Sequence, residues 1–143
     1  MPGSFLDTNV LLYQMSNDRG KAERAEELVR EGGVISVQVL NEFANVARRK
    51  IGLAWAEIHA LSETLRALLD VVPLDEDMHA HGLRLCERYG FSVYDGMIVA
   101  AALSGESDTL WSEDMHDGMK VEDRLTIRNP FTGLPDFPQV AGD

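Results

Sequence analysis

Short apolar runs alternate along the chain with longer stretches in which apolar residues recur every three or four positions. The runs suit strands buried on both faces, and the longer stretches suit amphipathic helices. The first run, residues 4–7, is Ser4-Phe5-Leu6-Asp7, a strand ending in an acid. Thr8 and Asn9 start a turn or helix that carries Val10, Leu11, Leu12 and Tyr13. Asn17-Asp18-Arg19-Gly20 breaks the pattern. A helix follows over 21–30, with Ala22, Ala25, Leu28 and Val29 facing inward and Gly32-Gly33 at its end.

The alternation continues with a strand over 34–37 and helices over 39–50 and 54–69. Leu40, Phe43, Ala44, Ala47 and Ile51 line the first of these helices, which Gly52 ends; Ile58, Leu61, Leu65 and Leu68 line the second. Residues 71–74 read as a short strand that Pro73 confines to a sheet edge. A helix over 76–89 ends at Gly90, and a wholly apolar helix over 96–103 follows Asp95. Strands are predicted over 109–112 and 124–128. Strands separated by such helices pair in parallel, with helices on both faces. The expected fold is therefore α/β, a three-layer α/β/α sandwich around a short, mainly parallel sheet. The domain spans 1–129; residues 130–143, with three prolines and two glycines, form an irregular tail.

A 143-residue chain with 45% apolar residues suits one core. The single cysteine, Cys86, excludes an internal disulfide and a thiolate metal cluster, and Leu83, Leu85 and Tyr89 around it predict a buried structural thiol. No basic, apolar leader opens the chain, and no apolar stretch reaches the roughly 18 residues of a membrane span. A cytoplasmic protein with no membrane partner is expected. The net charge of -11 argues against a protein that coats nucleic acid through a broad basic face. It leaves open an enzyme that reaches phosphate through bound cations, because a cation reverses the local sign of a carboxylate cluster.

In open α/β sheets, ligands bind beyond the carboxyl ends of the strands. Asp7 closes the first strand and Asp114 lies just past the 109–112 strand. Asp95 precedes one helix and Glu42 lies in the first turns of another, so all four acids can meet at one sheet edge. Two carboxylates about 4 Å apart repel by roughly 4 kcal/mol at an effective dielectric of about 20, so they share a proton or bind metal. An all-oxygen set favours Mg²⁺, for which Mn²⁺ can substitute, over Zn²⁺. Each acid also has a plainer role open to it. Asp7 and Asp95 can cap helices, Glu42 can face solvent or pair with a base, and Asp114 can belong to a charged loop with Glu113 and Asp117. Thr8, Asn9 and Ser112 can support the carboxylates or cap locally, and Ser36 can serve as a turn hydroxyl or help hold the site. His79 and His81 do not share a helix face, and His59 and His116 have no evident partner. No glycine-rich phosphate loop is present, which argues against a nucleotide switch.

Four segments, in order, resemble the motifs of the PIN domain: Phe5-Leu6-Asp7-Thr8-Asn9-Val10, Leu40-Asn41-Glu42-Phe43, Tyr94-Asp95-Gly96-Met97-Ile98-Val99-Ala100-Ala101-Ala102 and Leu110-Trp111-Ser112-Glu113-Asp114-Met115. The small size resembles the VapC toxins of toxin–antitoxin pairs. The resemblance implies an α/β/α fold and metal-dependent endonucleolytic cleavage of RNA. It implies Asp7, Glu42, Asp95 and Asp114 as the metal-binding catalytic acids, with Thr8, Asn9 and Ser112 as supporting residues and Asp117 as an additional acid near the pocket. It further implies a homodimer and a cognate antitoxin that lays a terminal segment in an apolar groove and brings an arginine to the acidic pocket. Gly96 stands where a bulkier or alanine-like residue is common, which predicts a weaker helix start, and Trp111 is large for its strand. The expected function is that of a metal-dependent endoribonuclease toxin. A metal-dependent DNA nuclease or phosphatase, or a non-catalytic protein-interaction domain, are the alternatives that the acids alone do not separate. Arg48-Arg49-Lys50, or Arg19 with Lys21, are the candidate basic ground for substrate.

Overall fold

The computed structural model describes residues 3–134 and contains six strands and six α-helices among them. The strands are β1 (Ser4–Leu6), β2 (Val34–Ser36), β3 (Asp70–Val72), β4 (Thr109–Trp111), β5 (Lys120–Val121) and β6 (Leu125–Arg128). They form one sheet in the order β3-β2-β1-β4-β6-β5, parallel except where β5 runs against β6. Phe5 of β1 pairs with Val34 on one side and Leu110 on the other, so β1 lies inside the sheet. The proline-bordered strand takes the edge, as expected for a segment whose next residue has no N–H to donate. The two-residue β5 is too short to leave a periodic signal in the sequence.

The flanking helices are α1 (Thr8–Leu12), α2 (Arg19–Arg30), α3 (Val37–Val46), α4 (Trp55–Leu68), α5 (Glu76–Tyr89) and α6 (Val93–Ser104). Phe5, Leu6, Ile35, Leu110 and Ile127 are fully buried in the sheet, each contributing about 1.5–3 kcal/mol through the apolar surface it removes from water. Every residue of α6 from Gly96 to Leu103 is buried, which explains why this helix is apolar on all sides.

Several boundaries differ from the sequence-based expectation because side-chain caps set them. α2 starts at Arg19, two residues early, because Lys21 N donates to Asp18 Oδ1 at 3.2 Å. α6 starts at Val93, not Gly96, because Asp95 N donates to Ser92 Oγ at 3.3 Å. Ser92 is therefore the cap, and Asp95 lies in the first turn, where a carboxylate meets the positive end of the helix dipole. The helix expected over 39–50 is regular only to Val46 and then widens into a π turn over Ala47–Ile51, closed by Gly52 at φ 81°.

Gly96 does not weaken a helix start. It lies against α5, where a Cβ would stand 2.3 Å from Cys86 Sγ and 2.8 Å from Gly82 O. Cys86 is only half-buried, with Sγ 3.2 Å from Ser92 O, because it sits at this helix crossing and not in the main core. Trp111 is accommodated beside α2, with the Arg24 guanidinium 5.2 Å from its ring centroid. His81 Nε2 lies 3.4 Å from Glu122 Oε2, while His59, His79 and His116 are exposed. Of the expected irregular tail, Phe131 packs edge-on against Tyr13 at 4.7 Å, and residues 135–143 lie outside the described residues. No helix among the described residues is long and apolar enough to cross a membrane.

Candidate functional site

The pairing of β1 with β4 sets the position of Asp7. Its backbone N donates to Trp111 O at 3.0 Å, one residue past the end of β1. Its side chain is fixed at both oxygens: Thr8 N donates to Oδ1 at 2.7 Å and Ser112 Oγ to Oδ2 at 2.7 Å. Ser112 is fully buried and Asp7 is 5% exposed. Burial pushes the Asp7 carboxyl up to about 6, with the nearby Asp95 and Glu42 carboxylates adding to the rise; the bonds from Ser112 and Thr8 oppose it without cancelling it.

Glu42 reaches the same place from α3. That helix starts where Val39 N donates to the buried Ser36 Oγ at 3.1 Å, so Ser36 acts as a cap. Thr8 Oγ1 donates to Glu42 Oε2 at 3.0 Å, linking α1 to α3 across the site. Asp95 is half-buried and its carboxyl is raised mainly by burial, against the bond from Ser92, with the Asp114 carboxylate raising it further. Asp114 is exposed and accepts a hydrogen bond from Asn9 Nδ2.

Asp7, Glu42, Asp95 and Asp114 line one cleft of about 240 Å³, together with Thr8, Asn9, Asn45, Val46 and Ile98. Ser112 does not line it but stands behind Asp7. Asp117 does not line it either: its Oδ1 accepts from Asn129 N at 2.8 Å and ties the β4–β5 loop to the end of β6. Asn45 was not singled out, although its spacing of three from Glu42 places both on one helix face. Val46 and Ile98 carry no chemical signal. Lys21, Tyr13 and Glu113 form a bonded cluster that sequence reasoning did not assemble.

The cleft's donors are carboxylate, amide and hydroxyl oxygens, with no histidine or cysteine among them. That chemistry favours a hard divalent ion such as Mg²⁺ or Mn²⁺ over Zn²⁺. Among the described residues, no three His, Cys, Asp or Glu side chains already stand as a ligand set. The acids share a cleft without forming a closed cage, which suits an ion such as Mg²⁺ that keeps several of its waters and takes few direct carboxylates. A cation would also relieve the repulsion and burial that hold the Asp7 carboxyl at about 6.

The PIN domain family model matches residues 4–116. No curated protein matches the sequence. Among solved structures, a toxin–antitoxin complex from Klebsiella pneumoniae superposes with a TM-score of 0.67 at 17% identity, over 89% of this chain and 97% of that one. DNA-bound VapBC from Salmonella typhimurium gives 0.66 at 20% identity, over 91% and 99%. VapC20 of Mycobacterium tuberculosis, described as a sarcin–ricin loop cleaving toxin, gives 0.60 at 16% identity, over 78% and 89%. These likenesses establish a shared fold.

Proposed function

As the chain belongs to the PIN domain family, we propose that it is a Mg²⁺- or Mn²⁺-dependent endoribonuclease and the toxin of a toxin–antitoxin pair. The observation that carries this reading is the meeting of Asp7, Glu42, Asp95 and Asp114 in one cleft at the carboxyl edge of a parallel sheet. The toxin–antitoxin complexes among the structural neighbours support the biological role.

Asp7, Asp95 and Asp114 are assigned as the main holders of the ion, and Glu42 completes the set or places a second ion or a water. When bound, the ion supplies acidification of a water and neutralisation of charge on the phosphate. The chain's own part is positioning. Ser112 and Thr8 hold both Asp7 oxygens in one orientation, Thr8 also holds Glu42, and Asn9 holds Asp114. Carboxylates fixed in this way need little reorganisation when the phosphate charge develops. The same assignment implies a homodimer and an antitoxin whose arginine enters the acidic cleft.

Substrate must find basic ground on a chain of charge -11. Lys21 is excluded from that role by its ion pair with Glu113. Arg48 is engaged too: Nη1 donates to Leu53 O at 3.0 Å, and the guanidinium lies 4.8 Å from the Trp55 ring centroid. Arg49 and Lys50 are exposed and lie three and four positions past the cleft residue Val46. Replacing Arg49 and Lys50 by alanine is expected to weaken binding of single-stranded RNA about tenfold at low salt. It should also flatten the log–log salt dependence by about 1.4, at roughly 0.7 for each phosphate no longer neutralised. Unchanged affinity at low salt, measured by fluorescence anisotropy, rejects the assignment of these two residues.

The function itself is tested by incubating the purified chain with RNA and DNA in Mg²⁺, in Mn²⁺ and with chelator, then mapping the cut ends. Cleavage of RNA that chelator stops and either ion restores is the expected result. Cutting of DNA alone, or release of phosphate from monoesters, would move the chain to another metal-dependent phosphoesterase. No cleavage together with no Mn²⁺ binding would leave a protein-interaction domain.

A further inference from the structure

Two acids stand side by side after β4, and only the second lines the cleft. Three successive residues are each tied to a different point on the β1–α1–α2 segment. Ser112 bonds to Asp7, Glu113 to Tyr13 and Lys21, and Asp114 to Asn9. The middle tie is the most elaborate. Lys21 Nζ lies 2.7 Å from Glu113 Oε2 and 3.4 Å from Tyr13 Oη, and Tyr13 Oη donates to Glu113 Oε1. The ammonium also sits 4.7 Å from the Tyr13 ring centroid and 5.5 Å from that of Phe131. The side chains of Lys21 and Glu113 are 30% and 24% exposed. Aromatic walls exclude water from such a pair and strengthen it beyond an open surface contact.

None of Tyr13, Lys21 and Glu113 lines the cleft. Lys21 Nζ holds one Glu113 oxygen and Tyr13 Oη the other, so both oxygens are engaged on the α1–α2 side. A second carboxyl side chain one residue from Asp114 is a ready competitor for any cation in the cleft. Asp114 itself is exposed, and among the described residues its side chain accepts only from Asn9. Something must decide which of the two consecutive acids is presented.

We propose that Lys21 and Tyr13 are positioning residues that sequester Glu113, so that Asp114 and not Glu113 is presented to the cation-binding cleft. This rests on the metal-dependent reading above and adds to it a device that selects the ligand. Loss of Lys21 frees Glu113 to leave its tie and pull the 112–114 segment out of register. The damage depends on Glu113 being a carboxylate, so Lys21→Met and Glu113→Gln are coupled.

The test is a double-mutant cycle on the full chain, read by calorimetric titration with MnCl₂ and by RNA cleavage kinetics. Lys21→Met should weaken Mn²⁺ binding about tenfold and lower kcat by a similar factor at unchanged KM. Glu113→Gln retains the Tyr13 bond and should stay within about threefold of the parent. The double variant should recover to the Glu113→Gln level. Long-range electrostatics acts in the opposite direction, since removing a positive charge tightens cation binding. Lys21→Met binding Mn²⁺ as well as or better than the parent therefore overturns the proposal. So does a double variant no better than Lys21→Met, which would indicate packing alone. If Lys21→Met does not fold, Lys21→Arg should match the parent in Mn²⁺ affinity, and Glu113→Gln falling tenfold or more overturns the idea on its own. A parent chain that binds Mn²⁺ and cleaves RNA while the variants show no coupling refutes only this inference. A parent that binds no Mn²⁺ refutes the function as well.

Discussion

Replacing Asp7 by asparagine is expected to raise the melting temperature of the metal-free protein at neutral pH and to abolish RNA cleavage. The Asp7 carboxyl is raised from 3.8 to about 6, chiefly by burial. The folded state thus holds this proton more firmly than the unfolded chain does. Its contribution to stability is fully present below 3.8 and is lost as pH rises through 6, a swing of about 3 kcal/mol. Above pH 6 the metal-free fold carries an ionised, buried carboxylate next to Asp95 and Glu42. Asparagine removes that charge and keeps both contacts: its Oδ1 still accepts from Thr8 N, and its Nδ2 can donate to Ser112 Oγ. Calorimetric melts in chelator should therefore show Asp7→Asn several degrees above the parent at about pH 8, with the gap closing near about pH 4. Mn²⁺ should raise the melting temperature of the parent and not of the variant. Cleavage should be lost in the variant, because Asp7 is assigned as a principal ligand of the ion that activates the water. A variant that melts below the parent in alkaline buffer would show that Asp7 is not destabilising, and full cleavage would remove it from the site.

Gly96→Ala is expected to destabilise the protein and to reduce cleavage with it. Two effects oppose each other. Alanine in a helix interior gains up to about 1 kcal/mol over glycine. The new methyl, however, would stand 2.3 Å from Cys86 Sγ and 2.8 Å from Gly82 O. The sulfur is the end of a side chain and can turn away. The carbonyl belongs to the backbone of α5 and moves only if the helices separate. Overpacking of this kind costs about 1–3 kcal/mol, so the loss wins. Because Gly96 adjoins Asp95, a shift of α6 also displaces a cleft carboxylate. Urea denaturation should show a lower midpoint for Gly96→Ala, and Cys86→Ala added to it should restore only part of the loss. A variant as stable as the parent would mean that the helices part freely at this crossing.

What the sequence determined by itself is the sequence-local part of this protein. Hydrophobic period and glycine or proline breaks act within a few residues, so the alternation of strands and helices was legible, along with the edge position of β3. So was Asp7 at a strand end, because a strand's last residue is fixed by its own run. Even there, the α6 start was placed too late, because Ser92 and not Asp95 caps the helix. Only the tertiary structure decided which groups meet. Ser112 reaches Asp7 and Asn9 reaches Asp114 across 105 positions each, and Lys21 reaches Glu113 across 92. Those meetings follow from the sheet order, which places β4 beside β1 and thereby brings the two loop regions together. The same placement buries Asp7 and raises its carboxyl, keeps Asp117 out of the cleft, and turns Gly96 into a helix crossing. Burial and proximity belong to the assembled sheet, and no period or cap along the chain encodes them.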